Sequence, residues 1–336
     1  MKAIVKERPG PGFALRDVPE PHLEAQTVIV RVKAVGICGS DMPIFNGVRD
    51  VPYPLIPGHE FAGLIAEVGP GVTDWQVGER VTAGLVIGCG TCAYCRRGDE
   101  ALCDNLLEIG FHVDGAYADY VRVPVGCLHH LPDEMSFVQG ASVDPLASSY
   151  RGLRRLNMRP EDKVVLFGDG AIGLYALQVI RARGIGHVMV VGHHDNRLEV
   201  AAGFGAEIMN NRQEDAVAAV ARFTGGKMAD LVVEATGAPE VLPAVIDATA
   251  KGGTALLLGV FHRKVAFNPA LIIRHELRLL GSFCYSWNDF AASLALIHQG
   301  CVRTDHVVTH ILPLTEMEHA LDMLNKRQAI KVILEP

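Results

Sequence analysis

The amino-acid sequence predicts a mixed α/β chain of two domains, an irregular β-barrel followed by a doubly wound parallel sheet, with a short tail returning to the first. Three observations carry this. Across residues 28–123, short alternating apolar runs are separated almost throughout by glycine or proline. At Lys163 the texture changes to continuous apolar strands separated by helical stretches. One of those strands, residues 164–167, runs directly into Gly168-Asp-Gly170-Ala171-Ile172-Gly173 and a helical stretch over 174–183.

In chain order, residues 2–6 read as an opening strand. Over 28–35 apolar residues alternate with Arg31 and Lys33, the period of a half-buried strand, and similar runs recur at 61–68, 79–82 and 117–123. Ser136 and Gln139 match a capping box, and the apolar run behind it predicts a helix that carries Asp144. Past Lys163, strands are expected at 164–167, 187–191, 230–234, 254–258 and 278–283, alternating with helices around 198–204, 214–223 and 240–250. A helix over 287–299, a strand at 310–313, a second capping box at Thr315 and Glu318, and a strand at 331–334 close the chain. The tail is too short for a core of its own, so it is assigned to the first domain: 1–147 with 286–336, against 148–285 for the second. The active cleft is expected between the two.

With 336 residues, 49% hydrophobic and 21% charged, the chain has apolar material for more than one core. A net charge of −7 without basic runs argues against nucleic acid or an anionic membrane as the main partner. No apolar run is long enough for a membrane span, and the amino terminus opens on a strand-like run, so a cytoplasmic location is the expectation. The apolar stretch around 279–297 is a candidate edge for a homodimer or homotetramer.

Two groups of residues have the character of metal ligands. Cys38-Gly-Ser40-Asp41 and Gly58-His59-Glu60 bracket a glycine-punctuated loop with a thiol, an imidazole and a carboxylate, which suits a zinc site with three protein ligands and an open position. Either Glu60 or Asp144 supplies the third ligand on this reading. Cys89, Cys92 and Cys95 follow a CxxCxxC spacing, with Cys103 next; four thiolates on a tight loop close a tetrahedral shell around a structural zinc, with an iron–sulfur cluster as the competitor.

The glycine pattern between strand and helix points to a dinucleotide. Its first glycine permits the tight turn, the second lets backbone approach a pyrophosphate, and the third lets helix and strand pack closely. At the end of the second strand, where an NAD site usually offers a carboxylate to the ribose, the chain has Gly192, His193 and His194, with Arg197 beyond. NADP is therefore expected over NAD, with Asp195 as the residue that would reverse the choice.

Taken together, GxxCGSD, GHE, CxxCxxC with a fourth cysteine, and GxGxxG make the chain resemble, from end to end, the zinc-dependent medium-chain alcohol dehydrogenases, and most closely their sorbitol, galactitol-phosphate and threonine dehydrogenase branch. The resemblance implies a GroES-like catalytic domain and a Rossmann domain, two zinc ions per chain and a nicotinamide cofactor. It implies Cys38 and His59 as ligands of the catalytic zinc, Glu60 as a nearby or exchanging ligand, and Asp144 where the branch commonly has Glu. Ser40 resembles the hydroxyl that accepts the substrate proton, and Asp41 the carboxylate that orients the ligand histidine. Thr236, Gly237, Gly259, Val260, Ser282 and Phe283 fall where such enzymes line the nicotinamide pocket, and Lys331 resembles a cationic contact to the diphosphate. Pro43 departs from the pattern, since many relatives have a proton-relaying histidine there. The implied reaction is hydride transfer between a secondary alcohol, such as a polyol, sugar alcohol, sugar acid or cyclitol, and the cofactor. A ketone reductase of the same mechanism and a non-catalytic nucleotide-sensing protein of the same fold are the alternatives.

Overall fold

The computed structural model of the protein describes every residue, Met1–Pro336. The first half begins with a ribbon of β1 (Lys2–Val5) and β2 (Ala14–Asp17), then the long strand β3 (Thr27–Gly36) and helix α1 (Asp41–Phe45). Next come β4 (Glu60–Val68), β5 (Arg80–Ala83), β6 (Val86–Ile87), α2 (Ala93–Arg96), β7 (Leu107–Glu108), β8 (Tyr120–Pro124) and β9 (Leu128–His130). Helices α3 (Phe137–Ala141) and α4 (Val143–Arg154) follow.

The parallel part contains β10 (Lys163–Phe167), α5 (Ala171–Ala182), β11 (His187–Gly192), α6 (Asp195–Gly203), β12 (Glu207–Asn210) and α7 (Ala216–Thr224). It continues with β13 (Ala229–Glu234), α8 (Leu242–Asp247), β14 (Thr249–Leu257), α9 (Ala270–His275) and β15 (Arg278–Gly281). The chain ends with α10 (Trp287–His298), β16 (Val308–Pro313), α11 (Met317–Asn325) and β17 (Lys331–Glu335).

These elements form two compact units, residues 1–147, 284–300 and 308–336 in the first and 148–283 and 301–307 in the second. The division differs from the sequence assignment at 284–285, which belong to the first unit, and at 301–307, which belongs to the second. Its backbone is held there by α5: the Arg303 amide donates to Gln178 Oε1 at 2.7 Å, and Gln178 Nε2 returns to the Arg303 carbonyl at 3.1 Å.

In the first unit, β3 is the axis of a seven-stranded sheet with the path β16-β17-β3-β4-β5-β9, and β8 also pairs with β3. Only Arg31 of its ten residues is exposed, because strands lie along it on both sides. Ala34, Ala141 and Ile333 pack under this sheet with Phe137, Val138 and Val308, so the chain's tail shares the core of its beginning.

In the second unit all strands run parallel in the order β12-β11-β10-β13-β14-β15. Helices cover such sheets on both faces, which is why β10, β11 and β13 are almost continuously apolar and buried. The crossover returns the chain from β12 to β13 beside β10, so the carboxyl ends of β10 and β13 flank the point where strand order reverses.

Three local expectations are corrected. The helix behind Ser136 does not run on to Asp144: the capping box forms, but α3 ends at Ala141, capped by Ser142, whose hydroxyl returns to the Val138 carbonyl at 2.8 Å, and Asp144 lies in the first turn of a new helix that begins at Val143. The helix expected over 240–250 is only 242–247, because Thr249 already pairs with Ala229 in the sheet. The box at Thr315 does not form; residues 314–316 make a 3₁₀ turn, and α11 begins after Glu316 without a side-chain cap.

His129 on β9 is buried and stacks on Trp287 and Phe290 of α10, with ring centroids 4.4 and 4.6 Å away. Burial pushes its imidazole down to about 4. The unfolded chain therefore takes up a proton near pH 6.5 that the folded one refuses, so stability complete above that pH falls as pH drops toward 4. Between pH 7 and 5 His129→Phe should remove about 2 kcal/mol of this loss. Both tryptophans, Trp75 and Trp287, lie in the first unit, so urea unfolding followed by their fluorescence at the two pH values measures it. An unchanged difference in the variant would reject the assignment.

Candidate active site

The pairing of β3 with β4 creates the site. Gly36 at the end of β3 is in register with Glu60 at the start of β4, which sets two strand ends side by side, with Cys38 just past one and His59 just before the other. A Cβ on Gly36 would lie 2.2 Å from Glu60 Oε2, so the absence of a side chain lets the carboxylate fold across the strand. One donor atom each of Cys38, His59 and Glu60 then lies within 4.8 Å of the others.

The surroundings hold these groups from behind. Asp41, the first residue of α1, is fully buried; its Oδ2 accepts the Cys38 amide at 2.9 Å and the Tyr117 hydroxyl at 2.5 Å, and its Oδ1 stands 3.8 Å from His59 Nδ1. Lys331, the first residue of β17, forms an ion pair with Glu60 and donates to the Ile37 carbonyl at 2.9 Å. The resemblance suggested a cation for the diphosphate; the ammonium is instead a buried counter-ion of Glu60, because β17 pairs with the end of β3 and brings residue 331 under the site.

Asp144 stands one step back. It accepts a hydrogen bond from Tyr285, whose oxygen also accepts the Leu85 amide at 3.0 Å. It interacts electrostatically with His59, Glu60 and Lys331, but its carboxylate is not in the tightest trio. Burial lifts Asp144 to about 7 against the pull of His59. Burial alone would lower His59, yet Cys38, Asp41 and Asp144 outweigh it and push the imidazole up to about 10. Cys284, next to Tyr285, holds a left-handed backbone conformation at φ 43°, a strained geometry for a residue with a side chain.

A divalent cation fits this group. Asp41 Oδ1, His59 Nδ1 and Glu60 Oε1 are buried without hydrogen-bond partners, and three buried carboxylates and a thiol face only one imidazole and one ammonium. Thiol, imidazole and carboxylate are zinc donors, and three of them leave room for a substrate oxygen.

A second cluster is built differently. The sulfurs of Cys89, Cys92, Cys95 and Cys103 lie within 4.8 Å of one another, all four thiols are free, and Cys92 Sγ is 3.9 Å from Cys103 Sγ. Backbone amides of Cys89, Cys92, Cys95 and Asn105 point at sulfur over 3.2–3.4 Å, the donor pattern that stabilises thiolates. Hydrogen bonds from the Thr91 hydroxyl and nearby amides pull Cys89 down to about 5. Four sulfurs with no further position make a closed, structural site.

In the second unit, Gly168 turns at φ 127°, and a Cβ on Gly173 would meet the Gly168 carbonyl at 2.1 Å, so α5 packs directly on the turn. Gly170 caps α5 with open space beside it, leaving the amides of Ala171, Ile172 and Gly173 as an anion-binding helix start. Asp169 turns away from that space: it accepts the His193 and His194 amides at 3.0 Å each, contacts the His194 ring at 3.1 Å and pairs with Arg197 at 3.9 Å. These contacts hold its carboxyl below the usual range although burial opposes them. Arg197, read from the sequence as a partner for a 2'-phosphate, is buried against Asp169. Asp195 binds Asn210 Nδ2 at 2.6 Å.

Glu234, at the carboxyl end of β13, went unread in the sequence. Its Oε1 accepts the amides of Thr236 and Gly237 and the Thr236 hydroxyl, and Gly237 packs backbone to backbone against Gly259 and Val260. These turns, with Ser282 and the exposed Val260 and Phe283, lie at the carboxyl edge of the sheet. An acidic residue ending a buried apolar strand was the available signal for Glu234; Tyr117 and Tyr285 carried none, since their partners are 76 and 141 residues away.

An open zinc-type centre in one unit, a closed four-cysteine lobe beside it and a dinucleotide fold in the other define a metal-dependent nicotinamide dehydrogenase. Residues 24–133 match the alcohol dehydrogenase GroES-like domain, and residues 171–299 match the zinc-binding dehydrogenase domain. Over its whole length the chain is 36% identical to the sorbitol dehydrogenase of Halalkalibacterium halodurans, covering 99% of it, and 32% identical to the D-arabitol-phosphate dehydrogenase of Enterococcus avium, covering 97%. It superposes at a TM-score of 0.93 on a candidate zinc-binding dehydrogenase from Sinorhizobium meliloti 1021 bound to NADP, at 31% identity, covering 100% of this chain and 99% of the other. With the Escherichia coli CFT073 alcohol dehydrogenase rspB complexed with NADH, the TM-score is 0.92 at 28% identity, covering 100% and 99%. The chain belongs to the zinc-dependent medium-chain alcohol dehydrogenase family. It is an oxidoreductase that moves a hydride between an alcohol carbon and a nicotinamide cofactor.

The Gly36 contact makes the two metal centres separable. Gly36→Ala should lower zinc content from two equivalents per chain toward one, with the four-cysteine lobe still loaded, as read by atomic absorption. Two retained equivalents would show that Glu60 and β3 have room to spare.

Proposed function

We propose that the chain is a polyol dehydrogenase with NADP as its preferred cofactor, and that Cys38 and His59 hold the catalytic zinc together with a carboxylate from Glu60 or Asp144. The observation that carries the reading is the convergence of Cys38, His59 and Glu60 at paired strand ends, backed by Asp41 and Lys331. Zinc held there would supply the Lewis acidity that makes an alcohol proton removable near neutrality, and a nicotinamide would supply the hydride acceptor.

The protein's own groups do the rest. Asp41 fixes the Cys38 backbone and faces His59, so ring and thiol are presented in one orientation. Ser40 precedes α1 and its hydroxyl makes no capping bond, which suits it to accept the proton. Pro43, in the first turn of α1, offers no side-chain acceptor; its carbonyl takes the Val48 and Arg49 amides at 2.8 and 3.0 Å. A proton taken up by Ser40 would therefore have to leave by a route other than the side chain of residue 43. The preference for NADP is supported by the lack of a free ribose acceptor: β11 ends in Gly192, where a Cβ would meet Asp169 at 2.6 Å, and both nearby carboxylates are already engaged. A homodimer or homotetramer is supported by β15, an edge strand with one neighbour in the sheet.

Cys38→Ser should reduce turnover by about three orders of magnitude or more while cofactor binding survives. Undiminished activity in a metal-stripped sample would refute the scheme. Sugar alcohols, aldonates, cyclitols and simple secondary alcohols, assayed with both cofactors by absorbance of the reduced nicotinamide, test the substrate class. A catalytic efficiency favouring NAD over NADP would overturn the cofactor assignment.

A further inference from the structure

Beside the metal-ligand trio lies a buried carboxylate that the reaction does not use. Glu108 ends β7, and a tight turn returns the chain over it: the amides of Phe111 and His112 donate to its carbonyl at 3.2 and 2.9 Å. Its side chain is 6% exposed yet poorly satisfied. Arg49 Nη2 reaches Oε2 at only 3.4 Å, and the Cys284 thiol reaches Oε1 at 3.7 Å. His112 does not make up the difference, since its Nδ1 accepts the Glu108 amide at 3.1 Å and so carries no proton to donate to the carboxylate. A buried carboxylate with four acceptor positions and three long contacts, the third to the His112 ring nitrogen 3.7 Å from Oε2, has capacity left for hydroxyl donors.

The cluster borders the reaction centre. The Phe111 ring lies 5.0 Å from that of His59, tilted by 37°, and the Arg49 guanidinium sits 4.0 Å from the Phe111 ring centre, so Phe111 touches both Arg49 and His59. The thiol of Cys284 is under the electrostatic influence of Glu108, Asp144 and Cys38 together. We infer that Glu108 and Arg49 form a specificity subsite for a neutral polyhydroxylated substrate, Glu108 accepting and Arg49 donating hydrogen bonds to hydroxyls next to the reacting carbon. This rests on the dehydrogenase reading above and narrows its substrate class. A phosphate or carboxylate at this place would meet the Glu108 charge, and the Arg49 guanidinium that would attract it is already shared between Glu108 and Phe111.

The test compares 2-butanol, D-sorbitol, D-arabitol and D-sorbitol 6-phosphate on wild type, Glu108→Gln and Glu108→Leu. All are used as zinc-loaded protein with metal content and cofactor binding measured first, and Glu108→Gln keeps the volume should the leucine variant not fold. Wild type should favour the neutral polyols over the phosphate ester. The ratio of kcat/KM for polyol to that for 2-butanol should fall by roughly tenfold or more in Glu108→Leu and less in Glu108→Gln, mostly through KM. Wild-type preference for the phosphate ester, or a ratio unmoved by either variant, overturns the subsite while 2-butanol turnover upholds the dehydrogenase. If wild type turns over none of the four with either cofactor, the polyol-dehydrogenase reading fails and the subsite with it.

Discussion

The antiparallel register of Gly36 with Glu60 is the constraint on which the site depends. A thiol that follows one strand and an imidazole that precedes its neighbour become adjacent only if those strand ends are paired. The pairing carries a steric condition, since the carboxylate in register must cross over its partner residue. A slip of one residue would turn the Glu60 side chain to the opposite face. Lys331 arrives from β17 on the other side of β3, so three strands that are distant in sequence supply the ligands and their counter-ion.

Around this pairing the protein maintains an excess of buried negative charge. Asp41, Glu60 and Asp144 share one ammonium and one imidazole, and burial lifts the carboxyls of Asp41 and Asp144 above the usual range, an imbalance that a bound cation would relieve. Their lone pairs are partly occupied by Tyr117, Tyr285 and the Cys38 amide, which fix positions without neutralising charge. The cysteine lobe follows the opposite plan: four amide donors from one short loop, two of them on Cys103 and one each on Cys89 and Cys92, support a closed shell that serves the fold.

Local pattern made much of the architecture legible. The parallel strands were readable because burial on both faces demands unbroken apolar runs, and the glycine turn because only glycine tolerates φ 127° and the helix contact at Gly173. Cys89, Cys92, Cys95 and Cys103 were readable because their ligand geometry is local. Where the reading failed, a distant partner had overridden a local signal. Thr249 leaves its expected helix because Ala229 pairs with it, and 301–307 joins the second unit through Gln178. Arg197 and Lys331 were read as cations for cofactor phosphates, but each was claimed by a buried carboxylate that no spacing rule connects to it.

By itself, the sequence determined the classes of chemistry present: two sets of soft metal ligands, a pyrophosphate turn, and a strand end without a ribose-binding carboxylate. Those are properties of residue types at short spacings, and short spacings fix relative position. Tertiary structure alone decided which donors converge, holding Asp144 at Tyr285 while admitting Glu60, and setting Glu108 with Arg49 and Cys284 next to His59. Those neighbours come together through sheet register and helix placement, which depend on the packing of the whole unit.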